Sequence, residues 1–453
     1  MYRDPVQSLQ PPRRLPAASR PLRVGMIGIG TVGSGTFRVL ARNQAEIAAR
    51  AGRGIELVIV AARNLERAAR IVEGRVELTS DPIRVATHPD VDVVVEVAGG
   101  TGAARDWVLA AIAHGKHVVT ANKALLAVHG SEIFAAARQH GVAVAYEAAV
   151  AVSIPIVKAL REGLTANRIE WVAGIINGTT NFILSKMRDE GLDFGGALAQ
   201  AQALGYAEAD PAFDVEGIDA AHKIALLAAN AFGMPVCFAD AQVEGITGLQ
   251  SLDVDCAEQL GFRVKLLGIA RRRADGVELR VQPALVPAAH LMAQVNGSMN
   301  GIMVKADAAG LTMYYGAGAG SEQTASAVIA DLVDVARLDG THAGQRVPHL
   351  GFHAHAMNAL PVLPRAAVRS AHYLRVPLHA ARDIEGLTAL IAAQQLPVRQ
   401  VQLAADRPGL GPQGLVLIDA VPQGAVDLAL HALRAHPAVA GAIATLRVED
   451  LAA

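Results

Sequence analysis

The sequence predicts an α/β fold that opens with a parallel sheet and closes with a small βαββαβ unit, and three observations carry that prediction. A short apolar run at 22–27 leads through Gly28-Ile29-Gly30-Thr31-Val32-Gly33 into a helical segment, the strand–turn–helix unit from which parallel sheets are built. Residues 91–98 are almost continuously apolar, as a strand covered on both faces should read. Beyond residue 366 the apolar spacing alternates between strand and helix in the order βαββαβ. With 453 residues the chain has room for about three domains.

Residues 1–20 are rich in Pro and Arg, lack the apolar stretch of a secretory signal and read as a disordered tail. The strand 22–27 and a helix over 36–49 flank the glycine turn. In such a turn the first glycine permits the tight bend, the second lets backbone approach a pyrophosphate, and the third lets helix pack on strand. Phosphate then sits at the helix N-terminus, which makes Gly28, Gly30, Thr31, Val32 and Gly33 candidate dinucleotide contacts. A strand over 56–61 completes a βαβ unit whose tip carries Arg63 and Asn64. A carboxylate there binds the ribose hydroxyls of NAD, whereas an arginine accommodates the 2'-phosphate of NADP, so Arg63 favours NADP over NAD.

After the strand 91–98 come Gly99-Gly100-Thr101, a helix over 104–114, a strand over 117–120, the turn Ala121-Asn122-Lys123 and a strand over 142–147. Ligands bind beyond the carboxyl ends of such strands, where Gly28, Arg63, Gly99, Thr101 and Lys123 all fall. Residues 21–150 therefore read as a Rossmann-type nucleotide-binding domain. A second glycine turn, Gly316-Ala317-Gly318-Ala319-Gly320, opens a later helix over 324–336.

Between these lies an acid-rich segment, Tyr206 to Lys223, with Glu208, Asp210, Asp214, Glu216 and Asp219 ahead of a lysine. Asp219 and Lys223 are four apart in a stretch with helical apolar spacing, so the carboxylate and the ammonium project from one face. A solvated surface pair is the plain alternative at this spacing. Ile224, Leu226, Leu227 and the surrounding alanines point instead to a buried helix, where a lysine must be paired or have a depressed pKa. Asp210, Asp214 and Glu216 read as helix caps or as supports for the pair.

Composition narrows the function classes. Basic and acidic residues balance at 41 and 42 with no basic stripe, which argues against nucleic-acid and membrane-surface partners. Apolar residues make up 52% of the chain, yet every apolar run is too short and interrupted to be a transmembrane span. Cys237 and Cys256 match neither a disulfide framework nor a zinc site and fit a reducing cytoplasm.

Four segments, KHVVTANKALLA at 116–127, GIINGTTNFILSKM at 174–187, GYAEADPAFDVEGIDAAHKIALLA at 205–228 and GFRVKLLGIA at 261–270, resemble the homoserine dehydrogenases, and the resemblance runs from Val24 to Arg337. It implies reversible oxidation of L-homoserine to L-aspartate 4-semialdehyde with NAD or NADP, on the route to threonine, methionine and isoleucine. In its terms Glu208 and Asp219 bind the amino acid, Lys223 transfers the proton, and Lys123 contacts cofactor and substrate. Gly205 and Gly318 line the nicotinamide side. The resemblance also implies a homodimer, with residues 151–320 as an inserted α+β substrate and dimerisation domain and 321–347 returning to the nucleotide domain. It implies a sodium ion held by Glu147 and the carbonyls of Val150, Val152 and Ile154.

Two departures from the family pattern stand out. Val152 and Ser153 occupy positions where the family usually has two glycines, and a β-branched Val152 would be costly if positive φ were needed there. After a linker at 348–365, residues 366–453 resemble an ACT-like regulatory domain, but its ligand-cradling Asp-x-Pro-Gly turn is replaced by His379-Ala380-Ala381-Arg382-Asp383. A structural or dimerising role then stands beside amino-acid sensing. The same departures leave two other readings, a catalytically weakened nucleotide-binding homologue with a regulatory role and a dehydrogenase for a related small amino-acid aldehyde.

Overall fold

A computed structural model describes residues 20–406 and 409–452. The tail expected over 1–20 lies outside the described residues except for Arg20, which pairs with Asp92 at 2.5 Å. Two sheets organise the fold. The first has six strands, β1 Leu22–Ile27, β2 Ile55–Ala61, β3 Glu77–Thr79, β4 Val93–Glu96, β5 His117–Thr120 and β6 Val144–Ala145. They run in the order β3-β2-β1-β4-β5-β6 with every pairing parallel. All of β4 is buried, the reason its sequence is apolar without alternation.

Several boundaries differ from the sequence reading. The helix expected at 36–49 begins at Thr31, directly after Gly30, and breaks at Asn43 into Thr31–Arg42 and Gln44–Ala51. The strand expected over 91–98 is confined to β4. Asp92 turns outward to accept the backbone N–H of Arg23, and the Glu96 carboxylate captures the next free amides. The strand expected over 142–147 is cut to β6 because Glu147 starts a helical turn, Glu147–Ala149. The helix Ser321–Arg337 packs back onto the first sheet, where Ala325, Val328 and Leu332 share one core with Val24, Val95 and Val119.

The second sheet contains β7 Ile169–Ile175, β8 Gln242–Val243, β9 Phe262–Arg272, β10 Val277–Pro287, β11 Met299–Ala306 and β12 Gly310–Ala317. It continues into β13 Arg369–Pro377, β14 Val398–Leu403, β15 Gln413–Pro422 and β16 Ala444–Val448. The last four strands, with the helices Ile384–Ala393 and Gln423–Arg434, follow the order βαββαβ around a core that includes Leu374, Val376, Ile391, Val416 and Leu430. The terminal unit is not a separate bead behind a linker. β16 joins β10 by a short parallel ladder, and Pro361 to Leu363, in the segment expected as linker, bonds along Val277 at the start of β10. No described helix is long and apolar enough to cross a membrane.

Candidate active site

A cleft of about 500 Å³ opens at the carboxyl ends of β1, β2 and β4, lined by Gly28, Gly30, Arg63, Asn64, Arg67 and Gly99 among others. The glycine turn is sterically determined. Gly28 has φ 101°, and a Cβ there would lie 2.9 Å from the Ala98 nitrogen; a Cβ on Gly33 would lie 2.3 Å from the Gly28 carbonyl oxygen. Thr31, Val32 and Gly33 form the first turn of the helix that begins at the cleft. The Asn64 side chain caps the helix Leu65–Val72 by accepting the Arg67 N–H at 2.8 Å. Among the described residues the lining includes Arg63 and Arg67 and no carboxylate.

The far wall is set by a chain of hydrogen bonds that sequence reasoning missed. Buried Glu96 accepts the backbone N–H groups of Ala98 and Gly99 at 2.9 Å each, and its other oxygen accepts the Thr120 hydroxyl at 2.8 Å. Thr120 in turn accepts the Asn122 N–H at 3.0 Å, while the Asn122 amide donates to the Gly100 carbonyl at 2.7 Å and caps the helix Lys123–His140. Lys123 thereby starts its helix in a fixed place beside the Gly99–Gly100 loop. The available signal was Glu96 itself, a lone charge in an apolar strand. Thr101 precedes the helix Gly102–Ala113 without a side-chain cap.

Asp219 and Lys223 lie on the helix Ile218–Phe232, in which every residue from Asp219 onward is buried. Their side chains are 6% and 9% exposed, which rules out the solvated surface pair. The Lys223 ammonium donates to Asp219 Oδ2 and to the Ile176 carbonyl, both at 2.7 Å. Lys123 Nζ lies 3.1 Å from Asp219 Oδ1 and over the Phe213 ring. Asn177, a second residue missed from sequence, donates to Asp219 at 2.9 Å and to Asp214 at 2.7 Å while capping the helix Gly178–Glu190. One carboxylate is thus held between two lysines, one from each side of the domain junction.

The electrostatics follow from this arrangement. Burial alone would raise the Asp219 pKa, but Lys223 and Lys123 outweigh it and hold the carboxyl well below its ordinary range. Burial and the nearby Lys123 charge lower Lys223, against the opposing pull of Asp219. Burial raises Asp214.

Other sequence-predicted residues are placed differently. Glu208 is exposed, and its carboxylate has no hydrogen-bond or ion-pair partner among the described residues; only its backbone carbonyl is engaged, by Gln202. Asp210 caps the turn at Ala212. Gly205 lies in the exposed turn after the helix Phe194–Ala203. Gly318 sits against the Asn300 side chain, whose amide would be 2.2 Å from a Cβ at that position.

Glu147 is buried, and its two carboxylate oxygens accept the N–H groups of Val157 at 2.9 Å and Lys158 at 2.8 Å. Its own N–H donates to Asp331 at 2.8 Å. Burial pushes Glu147 up to about 7 and Asp331 up to about 8. The expectation of strain at Val152 needs correction: the positive φ, 53°, falls on Ala151, and Val152 does not share it. Ser153 instead donates its hydroxyl to the Ala317 carbonyl at 2.7 Å, tying this turn to the end of β12. Ser153→Gly is expected to cost about 1 kcal/mol of stability, the net worth of one such bond. An unchanged unfolding midpoint in denaturant would show that the tie contributes nothing.

A Rossmann-ordered parallel sheet with a glycine-lined cleft at its strand ends, meeting a buried carboxylate–lysine pair at its domain junction, defines a nicotinamide-nucleotide-dependent oxidoreductase. The family models agree in detail, matching the homoserine dehydrogenase NAD binding domain over residues 28–147 and homoserine dehydrogenase over residues 155–333. A homoserine dehydrogenase from Pseudomonas aeruginosa is 54% identical over 439 residues, covering 95% of this chain and 100% of the relative. One from Neisseria gonorrhoeae is 46% identical over 436 residues, covering 95% and 99%. A crystal structure of a homoserine dehydrogenase from Thiobacillus denitrificans superposes with a TM-score of 0.91 at 52% identity, covering 96% of this chain and 100% of that one. The chain belongs to the homoserine dehydrogenase family. Neither the weakened regulatory homologue nor the dehydrogenase for another aldehyde gains support from these likenesses.

Proposed function

We propose that the chain interconverts L-homoserine and L-aspartate 4-semialdehyde, with Lys223 exchanging the proton at the substrate oxygen. The observation that carries this reading is the Asp219 carboxylate held between Lys223 and Lys123 at the junction of the two domains. The nicotinamide ring supplies or accepts the hydride when bound. In reduction, Lys223 donates a proton to the oxygen as negative charge develops there, a task eased by a pKa lowered towards the working pH. Asp219 and, from the exposed loop, Glu208 meet the ammonium of homoserine, with Lys123, 29% exposed, sharing Asp219 Oδ1. The diagnostic experiment is a steady-state assay with homoserine and each cofactor; absence of homoserine-dependent reduction of both would overturn the reading.

NADP is favoured over NAD because Arg63 and Arg67 line the cleft where a carboxylate would serve NAD. Arg63→Ala is expected to lower the NADP-over-NAD ratio of kcat/KM by about tenfold, since a charge-assisted bond to phosphate is lost. An unchanged ratio removes Arg63 from cofactor choice.

Support for a sodium ion at the turn around Glu147 comes from acceptors left unengaged there. Each Glu147 oxygen takes one N–H and retains a further lone pair, and the carbonyls of Val150 and Val152 accept no hydrogen bond among the described residues. The Ile154 carbonyl already accepts the Ile156 N–H at 2.8 Å. The family resemblance supports a homodimer. A cytoplasmic location is the reading supported by Cys237 and Cys256, which match neither a disulfide framework nor a zinc site in the sequence. For the terminal unit a structural role is the better supported one. Its first turn closes on itself through the Asp383 carboxylate, which accepts the Ala380 N–H at 2.9 Å, and so presents no open cradle.

A further inference from the structure

The edge of β10 that faces away from β9 is shared by two short partners. β8 pairs with it at Arg280 and Val281, and β16 at Ala284 and Leu285. Gln282 and Pro283 fall between the two ladders, and there the strands splay around a cavity of about 220 Å³. At about 30 Å³ per water in the liquid, that is room for a small organic ion rather than a nucleotide. The cavity lies at the seam between the substrate domain and the terminal unit, and its walls include Gln282, His372, Arg447, Arg365, Gln423 and Glu244.

Three of these side chains are at least nine-tenths buried and each carries one polar atom without a hydrogen-bond partner. Arg447 is 7% exposed, its Nη1 has no hydrogen-bond partner, and no carboxylate pairs with it among the described residues. Its neighbour Glu449 is taken by Arg280 at 2.6 Å. Gln282 Nε2 and His372 Nδ1 are likewise unpartnered, while the other His372 nitrogen lies 3.2 Å from Gln423. Glu244 and Glu449 act on Arg447 only from beyond ion-pair distance. A buried guanidinium with no carboxylate in contact is a costly arrangement, and a planar anion with two oxygens matches its fork. Arg365 is already paired with Asp427, and Glu244 stands at the wall as a negative charge. A single uncommitted cation suits a monoanion better than a phosphate dianion.

The cavity is also mechanically close to the catalytic helix. Gly217, at φ 84°, is the residue from which the helix Ile218–Phe232 starts. A Cβ there would meet Val281 at 3.1 Å and Val243 at 3.3 Å, both cavity-wall residues. The Ile246 N–H, just beyond that wall, donates to the Val215 carbonyl at 2.8 Å. Asp219 follows two residues after Gly217.

We propose that this seam cavity binds a small carboxylate, with Arg447 and Gln282 as its donors, and that its occupancy is felt by the catalytic helix through Gly217. This goes beyond the homoserine reading, and the binding itself is measured without turnover, so failure of the site and failure of that reading are distinguishable. Sodium acetate is titrated calorimetrically into the full chain at constant ionic strength, with sodium chloride and inorganic phosphate as comparison arms. Saturable acetate binding is expected, weakened at least tenfold in Gln282→Leu, whose turnover without acetate stays at the wild-type level. Filling the site should change the homoserine KM or kcat at least twofold in the wild type alone. Arg447→Gln serves as the second variant if Gln282→Leu does not fold. No saturable acetate heat, equal affinity in the variant, tighter binding of phosphate, or unchanged kinetics with the site full would each overturn the proposal.

Discussion

Lys223→Ala is expected to lower kcat for homoserine oxidation by about 10²–10⁴, the usual worth of a positioned acid–base group, while the Kd for NADPH stays near that of the wild type. The separation is built into the structure. Lys223 sits on the helix Ile218–Phe232, whereas the residues lining the nucleotide cleft come from the first sheet and its loops. The remaining Lys123 keeps Asp219 from becoming a buried carboxylate without a counter-charge, so folding should survive the substitution. A kcat within about tenfold of the wild type, a barrier change of only about 1.4 kcal/mol, would remove Lys223 from proton transfer.

The pH profile gives an independent reading of the same group. Oxidation needs the neutral amine as base, so kcat/KM should rise with pH through the Lys223 pKa and level off above it. Because burial and Lys123 lower that pKa, the rise should lie below the ordinary lysine value of 10.5. Lys223→Ala should abolish this limb rather than displace it.

The second large effect concerns stability. Asp253→Ala is expected to destabilise the chain by about 3–5 kcal/mol, as loss of one partner in a buried ion pair does. Asp253, on the helix Ser251–Gln259, accepts from Arg375 Nε at 2.7 Å and Nη2 at 3.1 Å, with both side chains almost fully buried. Arg375 belongs to β13, so the pair links the substrate domain to the terminal unit, and Gln413 and Gln250 complete its hydrogen bonding. Asp253→Leu combined with Arg375→Met should recover most of the loss, because an apolar pair leaves no stranded charge. A denaturant midpoint for Asp253→Ala that implies less than about 1 kcal/mol would show that the pair is not what secures the seam.

Local patterns in the sequence exposed much of the frame. The glycine turn, the largely apolar run at 91–98 and the one-turn spacing of Asp219 and Lys223 are short-range signals, and they locate the turn after β1, the shorter β4 and a helix face. What stayed hidden depends on contacts between distant segments. The Thr120–Glu96 and Asn177–Asp219 bonds span 24 and 42 residues, and no spacing rule reveals them. The β10–β16 pairing has only Ala284 with Arg447 and Leu285 with Val448, too few for any pattern. The condition set at Val152 is not met, because the positive φ falls on Ala151; side-chain size says where such a conformation is costly and not where the chain path imposes it. Glu208 illustrates the converse, a residue whose role is assigned by resemblance and whose side chain is left exposed and unengaged here.

The helix Ser321–Arg337 supplies part of the core around β1 and β4, although those strands lie near the beginning of the chain. Synthesis from the amino end therefore starts the nucleotide domain first and leaves it with an uncovered apolar face until Arg337 has emerged from the ribosome. The intervening substrate domain is translated while that face waits, so the earliest-begun part of the molecule depends on a late arrival to become watertight.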